Sequence, residues 1–349
     1  MFGFRGFIFK ARIVTITLAI ILAIIIGSFS LAHSKDDNTL TVYTAQSATT
    51  AQLPLLEAFK AGWPGDGRQI KLEYWKNLDD LRSLVLAGKG DIWVGHLEGL
   101  ARAASRGAPV SLVAVTVWRK FYFVSKPLPL TAGAPDRFPE STSELLDFIL
   151  ANNEAIGSAP QNSPGGSLLK KLGGPNLVIE ALPPQQLILD LVQGRRRVGL
   201  LPEPMATVAA ERDPSIKIIG SLEEQYAQRL GGPSEIPQAG VAVNLNLAQN
   251  ESELVGQLVK LIEEGAQKAA SLSPQEAALL LPPETLKAIG ENVVAMSLTR
   301  EPIIARSAES SRDEIEAFLK IAAPDIYEPG NATLPESFFF KAPKSMTSK

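Results

Sequence analysis

Beyond residue 38 the chain alternates short β-branched apolar runs with segments whose apolar residues recur at helical spacing. Thr39-Leu40-Thr41-Val42-Tyr43 reads as a strand and Leu53 to Phe59 as an apolar helix, with Ser47, Thr49 and Thr50 in the polar turn between them. Ile70 to Trp75 repeats the strand pattern. Asn77 stands where it can cap a helix over Leu78 to Ala87, and Gly88 and Gly90 end that helix. A third strand at Asp91 to Val94, a helix at Leu97 to Arg106, and strands at Val110 to Val117 and Phe121 to Ser125 follow. Strand and helix taking turns in this way predict a parallel open α/β sheet.

Four prolines, Pro127, Pro129, Pro135 and Pro139, break this rhythm before Ser141-Thr142-Ser143-Glu144 opens a helix with capping-box spacing. A second alternation then begins. Strand Ala155 to Ser158 leads through Pro160 to Gly166 into a short helix, then come strand Leu177 to Ile179, helix Pro184 to Gln193, strand Val198 to Leu201 and helix Met205 to Arg212. Segments this short suit a second compact α/β lobe. The strand signal returns at Gly240 to Val243, and helix dominates after it, first over Glu251 to Leu272. Ser273-Pro274-Gln275-Glu276 opens another, with Ser at the N-cap, Pro at N1 and Glu at N3. The last stretch, Glu328 to Lys349, is rich in Pro, Ser and Lys and is expected to be a loosely packed tail.

The N-terminal residues follow a different pattern. Arg5, Lys10 and Arg12 precede an apolar run from Ile13 to Ile26, and Ser30-Leu31-Ala32 places small residues at the −3 and −1 positions of a cleavage site. Residues 1–32 therefore read as a secretory signal peptide, with the mature chain starting at His33. The fourteen-residue run is short for a membrane span, which needs about 20 residues; an uncleaved anchor would have to recruit Phe7 to Phe9. Export places the mature protein in the periplasm.

The 45% hydrophobic content is that of a globular protein with a sizeable core, and the formal charge of −3 offers no basic stripe for a nucleic acid. Arg195-Arg196-Arg197 is the one basic run and reads as a solvated loop or helix end. With no cysteine, the chain has no disulfide, thiolate metal site, cysteine nucleophile or lipid-modified cysteine. Its two histidines, His33 and His96, give neither a metal cluster nor a Ser-His-Asp triad by spacing, so no cofactor and no metal are expected. The carboxylate pairs Asp79-Asp80, Glu223-Glu224 and Glu263-Glu264 read as solvated helix faces.

Three passages resemble the nitrate, sulfonate and taurine class of periplasmic substrate-binding proteins. They are Gly90-Asp91-Ile92-Trp93-Val94-Gly95 with Gly107-Ala108-Pro109-Val110 and the strand to Trp118; Ser163-Pro164-Gly165-Gly166-Ser167 before a short helix; and Gln193-Gly194 with Val198 to Pro204. That family often has Asp-Ala where Gly199-Leu200 stands here, and the triple arginine is unusual for it. The resemblance implies a type 2 periplasmic-binding fold: a first lobe of 39–124 plus 240–327, a second of 125–239, two strand crossings, and a ligand cleft between the lobes. It implies the solute-binding component of an ABC-type importer, not an enzyme, whose partners are a membrane permease and its ATPase. Membrane contact would come only through the permease or an uncleaved N-terminal segment. Two other classes stand beside it: a membrane-anchored sensory or adaptor protein of the same fold, and an enzyme of thiamine-precursor or menaquinone synthesis.

Ligands of open α/β sheets collect at the carboxyl ends of strands, so the candidate contacts lie in the loops there. Gln46, Ser47 and Thr49 follow the first strand and could bind ligand oxygens at a helix N-terminus, or simply cap it. His96 follows the third strand, where a capping role competes with a ligand role. Trp118, beside the first crossing, either packs on an apolar part of the ligand or fills the hinge. Ser163, Gly165, Gly166 and Ser167 form a loop whose backbone N–H groups and helix dipole suit a sulfonate, nitrate, carboxylate or phosphonate. Glu203 either accepts from a ligand amine or caps the next helix. The expected solute is thus small and polar or anionic.

Overall fold

The computed structural model describes residues 38–160, 163–328 and 333–343. The expected signal peptide, and Gln161 and Asn162 at the start of the loop expected to suit an anion, lie outside the described residues. Among those residues, no helix is long and apolar enough to cross a membrane.

Among the described residues, eleven strands form two sheets. The first holds β1 (Thr39–Ala45), β2 (Gln69–Trp75), β3 (Ile92–His96), β4 (Val110–Val117), β10 (Ala239–Asn244) and β11 (Arg306–Ser307), in the order β11-β4-β10-β3-β1-β2. The second holds β5 (Phe121–Ser125), β6 (Ile156–Ser158), β7 (Ile179–Ala181), β8 (Val198–Pro202) and β9 (Lys217–Ser221), in the order β7-β6-β8-β5-β9. β1 pairs with β3 in parallel as the alternation predicts, but β10 runs antiparallel between β3 and β4. β10 comes back from the other sheet, and its point of entry sets its direction. β5 is likewise antiparallel to both β8 and β9. All of β5, which the boundary expected at residue 124 would divide, lies in the second sheet.

Burial follows the strand sequences. Every residue of β4, Val-Ser-Leu-Val-Ala-Val-Thr-Val, is buried, as a continuous apolar run in a covered sheet requires. At the edge, β2 alternates polar and apolar residues and carries the exposed ion pair of Lys71 with Glu73, 2.7 Å apart, which blunts that edge against further pairing.

The helices are α1 (Leu53–Lys60), α2 (Leu78–Leu86), α3 (Leu97–Ser105), α4 (Thr142–Asn152), α5 (Pro164–Gly173), α6 (Pro184–Val192), α7 (Met205–Arg212), α8 (Leu222–Leu230), α9 (Leu245–Asn250), α10 (Ser252–Ala270), α11 (Pro274–Ala278), α12 (Pro283–Ile289), α13 (Glu291–Leu298) and α14 (Arg312–Ala322). Their starts behave as the sequence predicts: Asn77 caps α2 through the Asp80 N–H at 2.9 Å, and Ser273 and Glu276 close a capping box on α11. β9 and α8 were not legible in the sequence. Lys217 to Ser221 is a short edge strand containing a glycine, and α8 has too few apolar residues for a clear helical stripe.

The C-terminal stretch departs from the loose tail expected. Phe338, Phe339 and Phe340 are all buried, and the Phe340 N–H donates to the Leu112 carbonyl at 2.9 Å. The Arg312 guanidinium lies 4.6 Å from the Phe339 ring centroid and pairs with Glu336. Three consecutive aromatics carry more burial free energy than the surrounding Pro, Ser and Lys oppose. The arginine run lies at the surface as expected, with Arg195 and Arg197 exposed, and each arginine has an acidic partner: Asp190 for Arg195, Glu180 for Arg196 and Asp136 for Arg197.

Candidate functional site

The chain passes between the sheets twice, from β4 to β5 and from α8 to β10, and the two passages are bonded side by side. The Ile236 N–H donates to the Trp118 carbonyl at 2.7 Å, and the Gln238 N–H to the Val117 carbonyl at 2.8 Å. Glu223 ties them further: its Oε1 accepts from the backbone N–H groups of Lys120 (2.9 Å) and Phe121 (3.2 Å) and, at 3.5 Å, from the Gln238 amide. Glu223 is fully buried, against the solvated face expected for it. As the second residue of α8 it turns inward beneath the crossing, a direction that helix periodicity did not reveal. Burial pushes its carboxyl up to about 7, the backbone donors only partly opposing that rise.

Directly beside these passages lies a cleft of about 350 Å³. Its walls come from the last residues of β1, β2, β3, β4 and β8, the first of β5 and β10, and the starts of the helices that follow the strands. This is where open α/β sheets gather ligands. Trp75, Leu78, Val94 and His96 contribute from the first sheet's side; Phe121, Pro164, Pro184, Pro202 and Met205 from the second's; Lys120 and Gln238 stand at the crossing. The Trp75 indole N–H donates to the Val94 carbonyl at 3.1 Å, which leaves the ring itself as wall.

The candidate residues separate into two groups. Ser47, His96, Ser163 and Glu203 line the cleft. The His96 Nδ1 is buried with no hydrogen-bond partner, and its side chain does not cap α3. Glu203 is fully buried. Its carboxylate accepts from the Thr207 N–H at 3.0 Å and hydroxyl at 2.8 Å, capping α7, and pairs with the Arg300 Nε at 2.7 Å. Of its two readings, the helix cap is thus the geometry present.

Gln46, Thr49, Trp118, Gly165, Gly166 and Ser167 are not part of that wall. Gln46 is exposed and reaches the Glu284 carbonyl at 3.4 Å. Thr49 is buried and donates to Glu301 at 3.2 Å. Trp118 is buried with the Arg306 guanidinium 4.3 Å from its ring centroid, so it fills the hinge. The Gly166 N–H goes to the Ser163 hydroxyl at 3.3 Å and the Ser167 N–H to the Ser163 carbonyl at 2.8 Å, an ordinary N-cap. Gly165 serves packing: a Cβ there would come within 2.7 Å of the Phe121 ring. Gly165→Ala is expected to cost about 2 kcal/mol through overpacking, read as a lowered urea midpoint with unchanged slope.

Lys120, Arg300 and Glu301 had no role assigned from the residue pattern alone. Lys120 Nζ pairs with Glu301 Oε1 at 2.7 Å, and Glu301 is completely buried. Burial pushes the Glu301 carboxyl up while Lys120 opposes the rise. A lysine between Trp118 and Phe121 was the available signal, since a cation in an apolar run needs a partner. That partner stands 181 residues away.

Two sheets, two bonded crossings and a cleft at the strand ends decide the architecture. This is the type 2 periplasmic-binding-protein fold. Solved structures share it. An ABC transporter protein from Parabacteroides distasonis is 18% identical at a TM-score of 0.67, over 87% of this chain and 99% of that one. The aliphatic sulphonate binding protein SsuA of Escherichia coli is 11% identical at a TM-score of 0.61, over 86% and 96%. The nitrate-binding protein NrtA of Synechocystis PCC 6803 is 12% identical at a TM-score of 0.60, over 84% and 83%. No protein-family model matches the chain, and no curated protein does. The binding-protein fold places its cleft at the crossings, and among the described residues there is no His, Cys, Asp and Glu grouping able to hold a metal ion.

Proposed function

We propose that this chain is the solute-binding component of an ABC-type importer, working in the periplasm after export by its N-terminal segment. Binding is its activity; a permease and its ATPase take up the bound solute. The observation that carries this reading is the cleft itself: it lies against both crossings and is walled from both sheets, so a solute there would draw the two sides together. We place the first lobe at 39–119 plus 239–343 and the second at 121–238, with Lys120 at the hinge. The similar solved structures include an ABC transporter protein, a periplasmic nitrate-binding protein and a periplasmic aliphatic sulphonate binding protein, which supports the same reading.

Closure is the test. The chain has no cysteine, so Leu279→Cys and Val178→Cys, both exposed, take dyes cleanly, one on each lobe. A solute found by thermal-shift screening stabilises the fold by about 2.7 kcal/mol at 100 times its Kd. That solute is expected to change the energy transfer between the dyes in a saturable way. A solute that binds by calorimetry and leaves the transfer unchanged would overturn hinge closure.

A further inference from the structure

We propose that the solute taken by this cleft is an uncharged molecule with a flat apolar body and one edge that carries a hydrogen-bond donor beside an acceptor. This rests on the solute-binding reading above and narrows it.

Among the described residues, Lys120 and Glu203 are the charged groups lining the cleft. Both already have partners: Lys120 holds Glu301, and Glu203 holds Arg300. Glu203, Glu223 and Glu301 are all buried at this hinge. An anionic solute would meet no unpaired lysine or arginine and would sit beside the Glu203 carboxylate.

The helix starts are the second observation. An oxyanion at a helix N-terminus is held by backbone N–H groups. Here three helices that open onto the cleft begin with proline: Pro164 is the first residue of α5, Pro183 and Pro184 are the N-cap and first residue of α6, and Pro204 is the N-cap of α7. Each proline removes one N–H from its helix start and leaves those of the residues that follow it. The α5 donor at Gly166 is taken by Ser163, and the α7 donor at Thr207 by Glu203. The second-lobe wall thus presents pyrrolidine rings with Phe121 and Met205, which suit the face of a flat apolar body, while Trp75 faces the cleft from the other lobe.

The third observation is the pair of buried polar atoms with no partner on residues of this wall. They are His96 Nδ1 and Gln238 Oε1. Buried polar atoms are nearly always bonded in a folded protein, so each is an unmet demand that a ligand can satisfy. The Gln238 oxygen needs a donor, and the imidazole nitrogen accepts or donates a hydrogen bond according to its tautomer. A primary or cyclic amide on an aromatic ring carries both complements, a donor and an acceptor, on one group.

The probes are benzamide, benzenesulfonate, nitrate and methanesulfonate, titrated into the mature chain with binding read by calorimetry and tryptophan fluorescence. Three of the four tryptophans, Trp63, Trp93 and Trp118, are buried, so Trp75 reports the cleft. Benzamide is expected to bind at least tenfold more tightly than any of the three anions and to change the fluorescence, with the change lost in Trp75→Phe. Tighter binding of nitrate, methanesulfonate or benzenesulfonate overturns the uncharged-solute proposal and leaves the solute-binding reading standing. A fluorescence change that survives in Trp75→Phe places the ligand elsewhere and overturns the proposal as well. No binding of any probe up to tens of millimolar, together with no hit in the wider thermal-shift screen, overturns both.

Discussion

Lys120→Met is expected to lower the stability of the folded protein by about 3 to 5 kcal/mol near pH 8, the usual cost of leaving a buried charge without its partner. The partner is Glu301, fully buried and 2.7 Å from Lys120 Nζ. Its carboxyl is already pushed up by burial, and Lys120 is the largest influence holding it down. Without the lysine, Glu301 binds its proton more tightly, so the deficit shrinks as pH falls and the carboxyl is neutralised. Urea unfolding at pH 5 and pH 8 should therefore give a smaller loss at pH 5. Lys120→Met combined with Glu301→Gln should recover most of it, because the amide leaves no charge to solvate. A loss that is equal at both pH values and undiminished in the double variant would mean that packing of the lysine stem, not charge, is what matters.

Glu223 supplies the second large effect, and its sign is opposite to that of most carboxylates. Its folded value is raised from 4.5 to about 7 by burial. The folded state therefore holds the proton more tightly than the unfolded chain between those values. The stabilisation is complete below pH 4.5 and is lost as pH rises through about 7. Since each tenfold in proton affinity is worth about 1.4 kcal/mol, the contribution is on the order of 3 kcal/mol. Glu223→Gln mimics the neutral acid and keeps an oxygen for the Lys120 and Phe121 N–H groups. Its stability relative to the parent should rise by about that amount between pH 4.5 and pH 8. Parallel stability profiles for the two proteins across that range would show that Glu223 does not titrate in the fold.

Both effects arise at one place, the pair of crossings, and this bears on how such a protein would move. Lys120 carries the first crossing, Gln238 the second, and Glu223 bonds to both. Glu301 reaches the start of α1 through Thr49, while its neighbour Arg300 reaches β8 and α7 through Glu203 and Thr207, so one loop grips both sides of the cleft. A hinge made from buried charge pairs has few alternative arrangements, which favours a rotation about fixed points over a general loosening.

The two-lobed α/β class, most strands and helices, and the caps at Asn77 and Ser273 were readable from the residues alone. Each rests on local physics: period-two and period-3.6 burial, and side chains that satisfy N–H groups within three residues. The loops that would flank a cleft were also readable, because strand ends are local features, and Ser47, His96, Ser163 and Glu203 do stand on its wall. Composition misjudged the C-terminal stretch, where three phenylalanines outweigh their polar surroundings.

What each loop residue faces was decided only in three dimensions. Gly165 packs against Phe121 across 44 positions of sequence, Lys120 finds Glu301 and Glu203 finds Arg300. Whether a carboxylate is solvated, capped or paired depends on groups brought from distant segments, and no periodicity encodes that. The sequence therefore determined where a ligand could meet the chain. The tertiary structure decided which charges remain free to meet it, because charge pairing and burial belong to the assembled hinge and not to any one segment.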